Sequence, residues 1–221
     1  MSGYIFKLVL LLMPAVVFAQ KDEPAPDTTQ TTKFSGIRFG METIGFIKSR
    51  TGSTFSGNEF MVDTDLGNYY LVTEFGNWSR NLAITDGTYS NDGRYMRLGV
   101  DVNFLKKDPD RNMFFLGARY GRAFYDEQVT YLTRTEYGDQ EKTAVNKGIR
   151  SGWVELTTGL RVKVWKIFWV GYTARMKFSP GVPADSPLAP YDIPGYGLTF
   201  KKPWWGFSYY LMVRVPFKKD K

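Results

Sequence analysis

Residues 152–165, GWVELTTGLRVKVW, alternate strictly between two kinds of side chain. Val154, Leu156, Leu160, Val162 and Val164 share one parity, and Trp153, Glu155, Thr157, Gly159, Arg161 and Lys163 share the other. Successive strand side chains point to opposite faces, so this is a strand with one dry and one wet side. The dry side must meet either a protein core or lipid, and that choice limits the folds open to the chain.

The same alternation recurs in eight segments: 36–48, 58–65, 69–79, 94–105, 112–124, 152–165, 167–178 and 204–217. None of them prefers a helical period, which predicts an all-β domain. The connections near 66–68, 106–111 and 166 are short. Those at 49–57, 80–93, 125–151 and 179–203 are longer and rich in turn residues. Short turns at one end and long loops at the other predict an antiparallel up-and-down barrel. Counting 125–137 as a separate strand would break that phase.

Three features predict lipid outside rather than a dry interior. Gly40, Gly76, Gly99, Gly117, Gly121, Gly159, Gly171 and Gly206 all lie on the polar parity, and Gly45 is the exception. An eight-stranded barrel is just wide enough inside for side chains, so large charged groups fit where neighbouring positions are vacated. The rows Phe168–Phe178 and Phe207–Phe217 each span ten residues on one face. At about 3.4 Å per residue and about 40° of tilt this covers about 26 Å, against a band of about 25 Å on outer-membrane barrels. Finally, Phe168, Phe178, Trp205 and Phe217 stand near the ends of these rows, where an aromatic girdle belongs.

The polar parity carries Arg38, Glu42, Glu74, Arg97, Asp101, Arg119, Glu155, Arg161, Lys163, Arg175, Lys177 and Arg214. In a narrow, low-dielectric lumen an isolated charge is costly, so these residues are expected to pair into a structural network that plugs the barrel. A narrow cationic pore, or an acid–base pair built on Glu74 or Glu155, is the functional alternative.

The stretches RYMRLGVDVNF, FLGARYG, WVELTTGLRVKV, IPGYG and GFSYYLMVRVPF resemble the small eight-stranded outer-membrane β-barrels. More closely, the chain resembles an uncharacterised barrel-like family of Bacteroidota envelope proteins, known as a domain of unknown function. The resemblance covers most of the chain after about residue 58 and brings no catalytic residues. It implies a transmembrane barrel with short periplasmic turns and long extracellular loops. The terminal Leu211-x-Val213-x-Val215-x-Phe217 is similar to the signal read by the barrel-assembly machinery, although four further residues follow it.

Residues 1–19 read as a secretory signal peptide: Lys7, an apolar run, then Val17-Phe18-Ala19. The run from Leu8 to Ala19 is shorter than the roughly 20 residues a spanning helix needs. Residues 20–33 read as a flexible leader, leaving 34–221 as the barrel domain. The charge of +7 includes no basic run, so nucleic acid is not an expected partner. With no histidine and no cysteine, the chain has no Ser/His/Asp or Cys/His nucleophile, no disulfide and no lipid-modified cysteine. No metal or cofactor is expected; Asp185, Asp192 and the acidic residues of 125–141 lack Ca²⁺-loop spacing.

The expectation is a monomeric, non-enzymatic outer-membrane barrel serving envelope integrity or surface interaction. Its expected partners are outer-membrane lipids, lipopolysaccharide and the barrel-assembly machinery. A small-solute channel, a soluble periplasmic ligand-binding barrel and a histidine-independent lipid-modifying enzyme stay open at this level. The proline-rich loop 179–203 either folds over the mouth or offers Tyr191, Tyr196 and Phe200 to a partner.

Overall fold

The computed structural model describes residues 34–52, 54–136, 138–181, 188–200 and 204–217. The segments read as signal peptide and leader lie outside the described residues, as does Asp185. The eight principal strands are β1 (Gly36–Glu42), β2 (Phe55–Leu66), β3 (Tyr69–Ile84), β4 (Gly87–Asn103), β5 (Met113–Thr135), β6 (Gly138–Trp165), β7 (Phe168–Gly181) and β10 (Trp204–Pro216). Consecutive strands pair antiparallel, and β1 pairs with both β2 and β10, which closes the sheet into a ring. A two-stranded hairpin of β8 (Asp192–Ile193) and β9 (Gly197–Leu198) lies between β7 and β10 in the chain.

The alternation seen in the sequence sorts residues to the two faces of this ring. Glu74 and Asp101 have no exposed surface, whereas Val154 is 52% exposed and Phe207 57%. The polar-parity glycines make room for the large groups inside. A Cβ on Gly117 would lie 2.0 Å from Asp101 Oδ1, and one on Gly121 would lie 2.2 Å from the Trp153 indole.

One end of the ring carries the tight turn at Gly67-Asn68, the short connection 104–112 and the turn at Lys166-Ile167. Both ends of the described chain meet there, with Phe217 N–H donating to Ser35 O. The other end departs from expectation in three places. The first strand stops at Glu42 and gives way to helix α1 (Thr43–Thr51), where a strand had been expected to run on to 48. The Glu42 carboxylate caps that helix by accepting from Ile44 N at 2.9 Å and Gly45 N at 2.5 Å. Gly45 broke the glycine parity because it is helical.

Residues 80–93 and most of 125–151 are not loops. They continue β3 into β4 through Thr85-Asp86, and extend β5 to Thr135 and β6 back to Gly138. The phase of the meander survives because each arm extends a strand already counted. The β5–β6 arm is kinked by a bulge at Tyr125/Glu127, where Gly148 N donates to Asp126 Oδ1 at 2.6 Å.

Candidate functional site

The inward parity of seven strands, β1 to β7, places five arginines against five carboxylates. Asp63 takes Arg38 at 2.7 Å and Arg161 at 2.5 Å, and Arg161 reaches on to Asp101 at 3.0 Å. Asp101 holds Arg119 through two bonds, at 2.6 and 2.9 Å. Arg119 then passes Glu74 at 3.7 Å, and Glu74 sits 2.8 Å from both Arg97 and Arg175. Glu155, at 3.1 Å from Arg97 and 3.4 Å from Arg175, and Glu59, at 2.9 Å from Arg97, complete the chain. All ten side chains are buried. Their formal charges cancel, and each of these pairs joins different strands.

Neutral donors fill the remaining acceptor sites. Glu59 accepts from the hydroxyls of Tyr95, at 2.5 Å, and of Tyr210, while Glu155 accepts from Trp153 Nε1 at 2.6 Å. Arg38 stacks over Tyr70 and Trp169, with its guanidinium carbon 4.7 and 5.1 Å from the ring centroids. Two apolar clusters enclose the charges. Toward the short turns, Met61, Val72, Met113, Phe115, Trp169 and Met212 pack together. Toward the other end, Tyr95, Tyr125, Ile149 and Trp153 pack with Ile193 and Tyr196 of the β8–β9 hairpin.

That hairpin folds into the mouth, the first of the two fates open to loop 179–203. Pro194-Gly195 forms a tight turn closed by Tyr196 N donating to Ile193 O at 3.0 Å, with Gly195 at φ +77°. Glycine fits there twice over, because the turn requires a positive φ and a Cβ would fall 2.6 Å from the Tyr95 ring. The hairpin is bound by the wall: Arg97 Nη2 and Lys177 Nζ donate to Gly195 O at 3.0 and 2.7 Å, and Lys177 also donates to Tyr196 O. Asp192 lies 3.1 Å from Arg80, and its carboxylate accepts from Trp78 Nε1 at 3.2 Å. Burial pushes the Asp192 carboxyl above the usual carboxylate range, with Arg80 and the Trp78 N–H pulling the other way. Tyr191 and Phe200 stay exposed at the base of the hairpin.

Between α1 and this hairpin an open cleft of about 380 Å³ descends to Glu59, Arg97, Arg175 and Lys177. It ends on the charge chain, below which the buried methionines and aromatics fill the lumen.

The structure therefore brings together Arg38, Glu74, Arg97, Asp101, Arg119, Glu155, Arg161 and Arg175. Lys177 faces inward but binds backbone carbonyls of the hairpin rather than a carboxylate. Glu42 faces inward and caps α1. Arg214 lies at the short-turn end, 3.6 Å from Asp65. Lys163 is corrected: it is exposed, paired with Asp110 at 3.1 Å outside the network, because β6 extends past the floor of the lumen at that point. Phe168 and Phe217 lie at the short-turn end of the outer face, and Phe178 and Trp205 toward the other. Sequence reasoning left out Glu59, Asp63 and Asp65, whose parity in segment 58–65 had already marked them as inward.

Among the described residues no group of three or more carboxylates is placed to hold a metal ion. The interior carries ion pairs and phenolic hydrogen bonds, an arrangement that fixes wall strands to one another. Fold and site together define a small closed antiparallel β-protein, polar and paired inside and apolar outside. The family model described as "Domain of unknown function (DUF6048)" matches residues 1–220, and the chain belongs to that family. No curated protein matches the chain.

Proposed function

We propose that this protein is a non-enzymatic outer-membrane β-barrel with a plugged lumen, which supports envelope integrity and presents its projecting hairpins to partners. One observation carries the reading: the strands of the closed ring turn an apolar face outward while the charges are paired within. Leu71, Leu98, Leu116, Val154, Val170 and Leu211, from six strands, are 41–57% exposed. In water an apolar belt of this extent would far exceed the few hundred Å² that soluble monomers show. Against lipid it is the solvated face, with a height of about 26 Å estimated from ten-residue rows.

The shared end of the short turns and the described chain termini suits a periplasmic side, leaving the hairpin arms and α1 on the external side. The charge chain and the β8–β9 hairpin support a closed lumen over a conducting one. Lipopolysaccharide and the barrel-assembly machinery are the partners this reading expects.

Membrane fractionation of cells expressing the wild-type protein is the first test. Recovery in the outer-membrane fraction is expected, and recovery as soluble periplasmic protein would overturn the proposal. In planar bilayers the refolded monomer should be silent, and steady openings would reject the plugged lumen.

A further inference from the structure

The outer face is not uniformly apolar. Arg94 of β4, Arg122 of β5 and Arg150 of β6 all point outward and are exposed. Phe124 stands between them: it pairs across the sheet with Arg94 on one side and Arg150 on the other. The guanidinium carbons of Arg122 and Arg150 lie 5.6 and 5.9 Å from its ring centroid. Among the described residues none of these three arginines has a carboxylate partner, in contrast to the five arginines inside.

Their height matters. Arg94 stands ten residues above Phe104 on the same parity, about 26 Å along the membrane normal by the estimate used for the apolar band. The three arginines therefore sit where hydrocarbon gives way to headgroups. The nearest outward acids, Asp92 and Asp126, face each other one step further toward the hairpin tips, and Asp126 is engaged by Gly148 N.

Grooves run down from the cluster on both sides. One, of about 520 Å³, is walled by Phe60, Phe75, Met96 and Phe124, with Arg94 at its rim. The other, of about 380 Å³, lies over Gly152 between Tyr120 and Val154, with Arg122 and Arg150 at its rim. An apolar groove on one side and a mixed one on the other, below a cluster of guanidinium forks without carboxylate partners, match a ligand with anionic phosphate above and acyl chains beneath.

We infer that this face of β4–β6 is a binding site for a phosphorylated, multi-acyl glycolipid of the membrane, its phosphates held by Arg94, Arg122 and Arg150. Three cations around one aromatic favour a headgroup with more than one phosphate. An ordinary glycerophospholipid supplies one phosphate and two chains. The inference rests on the membrane reading above and adds a specific occupant to it.

The test uses full-length protein inserted into phosphatidylcholine vesicles, titrated with fluorescent bisphosphorylated lipid A, its dephosphorylated form and phosphatidylglycerol. The wild type should bind lipid A about tenfold or more tightly than phosphatidylglycerol and should not bind the dephosphorylated form. Replacing all three arginines by glutamine should weaken lipid A binding about tenfold or more, and lysine at the same positions should restore part of it. Glutamine at Lys48 and Arg50, on the helix, should change nothing. Unaltered binding by the triple glutamine variant, or equal binding of phosphatidylglycerol and lipid A, would overturn the inference while the inserted protein still upheld the membrane reading. Failure of the wild type to enter the vesicles would overturn both.

Discussion

Replacing Glu74 by glutamine keeps the side-chain volume and removes one negative charge from the centre of the lumen. Glu74 has no exposed surface and faces Arg97 and Arg175, each at 2.8 Å, and Arg119 at 3.7 Å. The variant leaves five arginines facing four carboxylates, with no water contact at Glu74 to screen the difference. Breaking a buried pair costs about 3–5 kcal/mol. Each arginine keeps another partner: Glu59 and Glu155 for Arg97, Glu155 for Arg175, and Asp101 for Arg119. That redundancy places the expected loss near the lower end, about 3 kcal/mol.

At a urea slope of about 2 kcal/mol per molar, this is a midpoint shift of about 1.5 M. The assay is urea unfolding of micelle-refolded protein, followed by tryptophan fluorescence; Trp153, bonded to Glu155, reports the network directly. Adding Arg175→Met restores neutrality and should recover much of the loss, a coupling that two independent sites would not show. A shift below about 0.3 M for Glu74→Gln, or a double variant as weak as the two single losses combined, would refute the reasoning.

Three further outcomes follow from the same geometry. Leu156→Arg, midway along the outer face of β6, should cost about 2–4 kcal/mol and depress membrane assembly, whereas Lys163→Arg on the exposed end of the same strand should be tolerated; heat-modifiable gel mobility compares them. Gly121→Val drives a side chain into the Trp153 indole and should destabilise by about 1–3 kcal/mol or more, measured by the same urea titration. The folded-state pKa of Asp192 lies above its unfolded value, so its contribution to hairpin docking is fully present below the unfolded pKa and is lost as pH rises through the raised one. Amide exchange at 193–197, corrected for intrinsic rate, should show greater protection at acidic than at neutral pH, and Asp192→Asn should flatten the profile.

The parity of the wall was legible because one face is apolar and the other carries charges. Where both faces are polar, that signal vanishes. Residues 80–93 and 125–151 remain paired strands, but Arg80, Asn91, Asp126 and Thr130 break the hydrophobic period, so they read as loops. Parity also says which side a residue faces without saying how far along the axis it lies. Arg161 and Lys163 look alike in sequence, yet one is buried between two carboxylates and the other is exposed beyond the lumen. The plugging hairpin left a turn signal in Pro194-Gly195. Its docking depends on Tyr95, Arg97 and Lys177, which are distant in the chain, and no local pattern encodes that meeting.

The charge chain has a consequence for how the ring finds its shear. Sliding one strand by a single residue would turn its apolar row inward among the charges and its charges outward into the apolar face. Sliding by two residues preserves the alternation, and the outer face would stay equally apolar. Inside, that slip would carry Arg119 about 7 Å along the strand from Asp101, and comparable offsets would open the other pairs. Several of these pairs join residues far apart in the chain: Asp63 with Arg161 is separated by 98 positions and Glu74 with Arg175 by 101. They form only once both halves of the meander are in place. The interior thus acts as a combination lock on strand stagger, closing on one of the alignments that the exterior treats as equivalent.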